Sequence, residues 1–234
     1  MVFAGATAIR DSVGSQVAYR LALDYFVSGV EHHYGSSAGA SRPLGDEEGT
    51  VALLEEAFRR ANTSVYGFGH KLAAGGRMAA SLLGVVIEGR RLATGRVGNG
   101  SVYLFRNGEL FPFFEAPEGG ESAVGDAKEQ PDEYESRNRS FIGSNALIDI
   151  EVASVELEPE DVVCVFSRPL TTLNETLLFE FLDTLRAGHD AAVGAGVAEQ
   201  LCAEVFTEPD TLSFAMVACI GPEAIFCSQV VPED

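Results

Sequence analysis

Between Arg90 and Leu110 the chain sets two alternating segments around a glycine-rich corner, Gly95 to Gly100, and follows them with the dipeptide Asn107-Gly108. Valine, leucine, tyrosine and phenylalanine suit the pleated, half-buried surface of a strand. Asn-Gly supplies a turn whose residues need positive φ, which those two side chains tolerate best. The stretch therefore predicts consecutive antiparallel strands, and any fold for the rest of the chain has to be built around them.

The remaining sequence is long enough to do so as one domain over residues 1–234, with 46% hydrophobic and 22% charged residues. A formal net charge of -19 repels a phosphate backbone, since nucleic-acid affinity comes mostly from Lys and Arg releasing counterions. DNA, RNA and anionic membranes are thereby excluded as expected partners. The first residues, Met1 to Arg10, lack the basic flank of a signal peptide, and no apolar run reaches spanning length. Cys164, Cys202, Cys219 and Cys227 form no Cys-x-x-Cys pair and lie in apolar segments, the usage of reduced core thiols. Only Cys227 is expected at the surface. The reading is a soluble, cytoplasmic protein.

Helical spacing places Val13, Val17, Leu21, Tyr25 and Phe26 on one face of a first helix, from Ser12 as N-cap to about Gly35. Gly35 to Gly45 is too small and polar to pack and reads as a loop. A second helix begins near Asp46 or Gly49, burying Val51, Leu54, Ala57, Phe58, Ala61 and Val65 while Glu55, Glu56, Arg59 and Arg60 face water. It ends by Gly75-Gly76. The apolar run Met78 to Ile87, the turn Glu88-Gly89-Arg90 and Leu92 to Val97 predict a buried hairpin.

Residues 115–139 carry Glu115, Glu118, Glu121, Asp126, Glu129, Asp132, Glu133 and Glu135 against Lys128, Arg137 and Arg139. So acidic and glycine-rich a segment cannot form a core element and reads as a mobile acidic loop. Strands are expected over Ala146–Val152 and Val162–Phe166, helices over about Leu173–Leu185 and Asp190–Phe206, and a last strand pair over Leu212–Ile220 and Ile225–Val231. His32-His33 falls at the end of the first helix, where imidazolium suits the dipole. His70 and His189 are isolated, so no zinc set or catalytic triad is recognisable. Gly95 to Gly100 precedes a strand and lacks a Lys-Ser/Thr ending, so it is no phosphate loop.

Several weak motifs in order make this chain resemble the metal-dependent type-2C serine/threonine phosphatases. Asn99-Gly100-Ser101 stands where that family writes Asp-Ser-Arg in its "VGDSR-YL-r-G-L" segment, and Phe3 to Phe26 is similar to "V-A-D-G-M-G-G-H-x-x-G-x-x-A-S-r-l-A". Leu54 to Asn62 resembles "ai-x-x-A-N", and Ala79-Ala80-Ser81 takes the place of Gly-Thr-Thr in "m-G-T-T-l-v". Leu157 to Leu170 resembles "L-x-x-G-D-x-l-l-l-x-S-D-G-L", and Asp210 to Val217 resembles "D-N-I-T-V-I-V-V". The family's opening strands, with their "R-x-x-N-q/e-D" motif, have no counterpart, which shortens the expected N-terminus.

The resemblance implies an α+β fold, a four-layer α-β-β-α sandwich of two antiparallel sheets flanked by helix pairs. It also implies a degenerate site, because Ala6-Thr7 falls on the metal-bridging Asp-Gly and Arg168 on a second metal aspartate, leaving Asp210 as the matched carboxylate. Hard divalent cations need several oxygen ligands, and a permanently charged guanidinium repels them. The expectation is a pseudophosphatase without metal or other cofactor that acts as a regulatory, protein-binding module. Its partner would be a kinase, a phosphatase or a phosphoprotein, and homodimerisation is plausible because edge strands seek partners. Arg10 and Arg168 either form a metal-free anion or partner contact, or pair locally, Arg168 with Asp210 and Arg10 with Asp11 or Asp24. The competing expectation is an active phosphatase whose metal site is rebuilt from Asp11, Asp149 or Glu151.

Overall fold

The computed structural model describes residues 1–37, 47–72, 78–115, 140–187, 196–206 and 212–230. In chain order its elements are β1 (Val2–Ala8), α1 (Val13–Ser37), α2 (Glu47–Lys71), β2 (Ala80–Glu88), β3 (Arg91–Val97), β4 (Ser101–Arg106), β5 (Glu109–Pro112), β6 (Glu151–Glu156), β7 (Val162–Phe166), α3 (Thr172–Ala187), α4 (Val197–Val205), β8 (Ala215–Ile220) and β9 (Ile225–Val230). They form two antiparallel sheets, ordered β1-β2-β3-β6 and β5-β4-β7-β8-β9. The fold is α+β, as the resemblance implied. By its contacts the chain divides into two compact units, Met1–Asn99 with Pro117–Val155, and Gly100–Ala116 with Glu156–Asp234.

In the first unit α1 and α2 pack on each other and on the four-stranded sheet. The glycines at the centre of the β2–β3 hairpin make this possible. Gly84 lies opposite Gly95 in the register, and the bare backbone there receives two aromatic rings, Phe26 from α1 and Phe58 from α2. Both rings are fully buried and meet edge to face at 4.9 Å between centroids, a favoured aromatic geometry.

The buried face of α1 is not the one its large residues suggest. Ser15, Ala18, Ala22, Phe26 and Val30 are inside, while Val13 is 81% exposed and Val17 and Tyr25 also face water. The reason is the closeness of the two helices: a Cβ added at Gly29 would lie 3.3 Å from the Cα of Ala57. Only small side chains fit such a seam, and a count of large apolar residues overlooks alanine. Ser12 caps the helix as expected, its Oγ accepting the Ser15 N–H at 3.2 Å. On α2 the expected residues Leu54, Ala57, Phe58, Ala61 and Val65 are buried, and Glu55 pairs with Arg59 at 2.6 Å. α1 runs on through Ser37, past the expected start of the loop, so His32-His33 lies inside it rather than at its end; residues 38–46 lie outside the described residues.

In the second unit α3 and α4 cover the five-stranded sheet around Phe166, Leu178, Leu182, Leu201, Val205 and Val217. Asn107 (φ 54) and Gly108 (φ 80) make the predicted turn, pairing β4 with β5 from Arg106 opposite Glu109. The pairing inferred across the corner fails, because β3 and β4 belong to different sheets. Gly98 (φ 91) and Gly100 (φ 122) turn the chain out of one sheet and into the other. Period-two alternation marks a strand but never names its partner.

A second correction concerns the strand expected from Ala146, which begins at Glu151. Asn62, 2% exposed, diverts the backbone before it: its Nδ2 donates to the carbonyls of Asn145 (3.0 Å) and Ala146 (3.2 Å), and its Oδ1 accepts the Gly143 N–H at 2.8 Å. A side chain distant in sequence thus takes the bonds a ladder would have used. α4 begins at Val197, later than Asp190, and residues 188–195 lie outside the described residues. So does the acidic segment beyond Glu115, residues 116–139.

Glu160 sits in the turn before β7 with φ 75, at the position the phosphatase family fills with glycine. A β-carbon in that region costs about 1–2 kcal/mol, so Glu160→Gly is expected to raise the stability of the second unit by about 1 kcal/mol. A urea melt that shows no rise in midpoint contradicts this.

Candidate functional site

β1 places Ala6 opposite Leu82 and Thr7 opposite Ser81. The Ser81 hydroxyl accepts the Asn99 N–H at 3.1 Å, so the corner residue Asn99 is tied back to β2 and offers its backbone, not its side chain, to that bond. Ala6 is half-buried and packs with the helix-side core. Its methyl group provides no ligand atom. Arg10 follows β1 and is exposed; its carbonyl accepts the Ser12 N–H at 2.9 Å. Among the described residues its guanidinium pairs with neither Asp11 nor Asp24, so the local pairing expected for it does not form.

The other residues belong to the second unit. Ser101 Oγ donates to the Arg168 carbonyl at 2.9 Å, and Ser167 is bonded twice, its N–H to the Phe214 carbonyl (3.1 Å) and its Oγ to the Ser213 N–H (3.0 Å). These bonds fix the end of β7 against the start of β8. The Arg168 guanidinium lies over the Phe206 ring at 5.0 Å from its centroid, a cation–π contact. Asp210, the proposed partner of Arg168, lies outside the described residues. The role of Phe206 was not read from the sequence, where it counted only as the last residue of a helix.

Of the carboxylates considered for a rebuilt site, Glu151 is already engaged. Arg96, whose side chain is 8% exposed, donates to it from Nε (2.6 Å) and Nη2 (2.8 Å), a bidentate pair that satisfies both carboxylate oxygens. Asp149 is exposed, and its own N–H donates to Ser140 Oγ at 3.2 Å. Asp11 is exposed. Among the described residues no group of three or more His, Cys, Asp or Glu side chains is placed to hold a metal ion.

Comparison with solved structures places this architecture. The serine/threonine phosphatase PstP/Ppp of Mycobacterium tuberculosis superposes with a TM-score of 0.60 at 17% identity, covering 99% of this chain and 88% of that one. The fold is that of the type-2C phosphatases. PppA of Pseudomonas aeruginosa, described as a key regulatory component of T6SS, superposes at 0.59 with 14% identity over 92% of this chain and 84% of its own. The catalytic domain of PstP in complex with two manganese ions gives 0.61 at 17% identity, covering 98% and 86%. No family model and no curated protein matches the sequence.

The side chains of Ala6 and Arg168, the positions that the sequence resemblance aligns with metal aspartates, carry no oxygen atom to offer a hard divalent cation. No helix among the described residues is long and apolar enough to cross a membrane.

Three of the four thiols belong to the core of the second unit. Cys164, Cys202 and Cys219 are buried and Cys227 is exposed, as expected. Burial pushes the Cys202 and Cys219 thiols up to about 11 and raises Cys164 well above the usual range, so none is a nucleophile near neutrality. A folded thiol that holds its proton longer than the unfolded one contributes stability that is fully present below the unfolded pKa and is lost as pH climbs through the folded value. Thermal stability is therefore expected to fall between about pH 9 and 11, at up to about 1.4 kcal/mol per pH unit for each thiol. Replacing Cys202 and Cys219 by Ala should flatten that decline, and an unchanged slope would refute the assignment.

Proposed function

We propose that this chain is a pseudophosphatase, a type-2C fold that serves as a regulatory or protein-binding module and does not hydrolyse phosphate esters. What supports the reading is that Ala6 in β1 and Arg168 after β7 stand where the sequence resemblance aligns the family's metal aspartates. Hydrolysis in the family rests on cations that orient a water and neutralise phosphate charge. One matched carboxylate, Asp210, cannot substitute for that set. The partner is a kinase, a phosphatase or a phosphoprotein, met through a surface descended from substrate recognition, and the buried reduced thiols suit a reducing, cytoplasmic setting.

Arg10 and Arg168 are the anion or partner contacts of this reading. Arg10 is the better placed of the two, since it is exposed and pairs with neither acid first considered for it. Calorimetric titration with phosphoserine and phosphothreonine peptides, wild type against Arg10→Ala and Arg168→Ala, tests the contact: weaker binding in either variant supports it, and equal binding or none removes it. For catalysis, hydrolysis of an aryl phosphate across a manganese and magnesium titration is expected to stay at background. Arg168→Asp alone is expected to remain inactive, because Ala6 persists. Robust metal-dependent turnover by the wild type would favour the alternative, an active enzyme with ligands recruited elsewhere.

A further inference from the structure

β1 is an edge strand of the first sheet among the described residues, and its own sequence carries no charge, proline or bulge of the kind that keeps edges from pairing. The opposite edge, β6, begins and ends in Glu151 and Glu156, the kind of charge that blunts an edge. β1 reads Val2-Phe3-Ala4-Gly5-Ala6-Thr7-Ala8, without charge or proline, and its register against β2 runs from Val2 opposite Val86 to Ala8 opposite Ala80 without a bulge.

The direction of its backbone groups follows from two observations. The Ile87 N–H donates to the Met1 carbonyl at 2.8 Å, and Ala80 spends both its backbone groups on Ile142, at 3.0 and 2.9 Å. Antiparallel pairs alternate between bonded and non-bonded, so Phe3, Gly5 and Thr7 are the residues whose groups face β2. Those of Val2, Ala4, Ala6 and Ala8 face the open edge.

We infer that β1 is a self-pairing edge, on which a second copy of this chain adds its own β1 antiparallel about a two-fold axis at Gly5. In that register Ala4 lies opposite Ala6 of the second copy and Val2 opposite Ala8, so every outward residue meets an outward residue and each such pair exchanges two hydrogen bonds. Charge selects the occupant as well. On a chain of net charge -19, most surfaces set acid against acid when two copies meet; this neutral strand does not. The result is one continuous eight-stranded sheet, ordered β6-β3-β2-β1 and its mirror in sequence. The side chain of Ala6 packs with the helix-side core, so its backbone groups alone enter the seam.

Light scattering across a micromolar to submillimolar range is expected to show the mass doubling. Hydrogen exchange over the same range should slow at the Ala4, Ala6 and Ala8 amides by about tenfold or more, while Gly5 and Thr7, already bonded to β2, change little. Ala6→Pro keeps the β-carbon and removes a donor that makes no bond to β2, so it should give a folded monomer with an unchanged circular dichroism spectrum. A wild type that stays monomeric, or a dimer whose Ala4 and Ala6 amides gain no protection, overturns the inference. Should Ala6→Pro fail to fold, the exchange pattern of the wild type decides alone.

Discussion

Gly84→Ala is expected to destabilise the first unit by about 3 kcal/mol, at the upper end of what overpacking costs in a close-packed core. A β-carbon built on Gly84 would stand 2.3 Å from Cζ of Phe26, with two further ring atoms at 3.0 and 3.1 Å. The ring has nowhere to retreat, because Phe58 meets its edge and the surrounding side chains are themselves fully buried. Gly95→Ala should behave alike through Phe58, whose Cε2 would lie 2.7 Å from the new carbon. The cause can be separated from a loss of glycine flexibility by a cycle: Phe26→Leu in the Gly84→Ala background should be less destabilising than in the wild type by at least about 1 kcal/mol. Strict additivity in chemical denaturation would mean that the ring and the glycine do not compete for the same space.

That arrangement also shows which parts of the fold are legible in sequence. The hairpin of β2 and β3 was readable because the turn at Gly89 and the apolar runs around it are local. The Asn107-Gly108 turn was readable for the same reason, since positive φ is a property of two adjacent residues. Gly84 and Gly95, by contrast, read in isolation as weak points in strands. Their function as seats for Phe26 and Phe58 emerges only when the register sets them side by side and two helices, distant in the chain, arrive above them. The misplaced face of α1 has a related origin: the buried Ala18 and Ala22, and Gly29 close against Ala57 of α2, carry almost no hydrophobic signal.

The candidate positions came from the sequence in a different way. Ordered agreement with a known family singled out Ala6, Arg168 and the Asn99-Gly100-Ser101 corner as positions to compare, and the superposed phosphatases share the fold. The partners of those residues were not legible. Ser81 for Asn99, Phe206 for Arg168 and Arg96 for Glu151 are all choices made by tertiary packing, and a sequence offers several acids to each arginine. The corner proves to be a crossing between two sheets, which no alternation of side chains distinguishes from a hairpin.

Arg106 carries the other large effect. Asp161, 2% exposed, accepts bonds from Arg106 Nε (2.8 Å) and Nη2 (2.6 Å) and from the Glu158 N–H (2.7 Å), while Arg106 Nη2 also donates to the Glu156 carbonyl at 2.8 Å. The pair secures the turn before β7 to β4, and the bond to Asp161 raises the already high arginine pKa further. Removing the guanidinium strands a buried carboxylate, so Arg106→Met is expected to cost the second unit about 3–5 kcal/mol. The pair as a whole is worth far less than that, because each ion also gives up its hydration. Arg106→Met combined with Asp161→Leu should therefore be more stable than Arg106→Met alone, even though it carries one more substitution. Glu158, 3.0 Å from Arg106 but 59% exposed, supplies the control: Glu158→Gln should change stability by no more than about 0.5 kcal/mol. If the double variant proved the less stable of the two in urea melts, the penalty would lie in lost packing and not in the stranded charge.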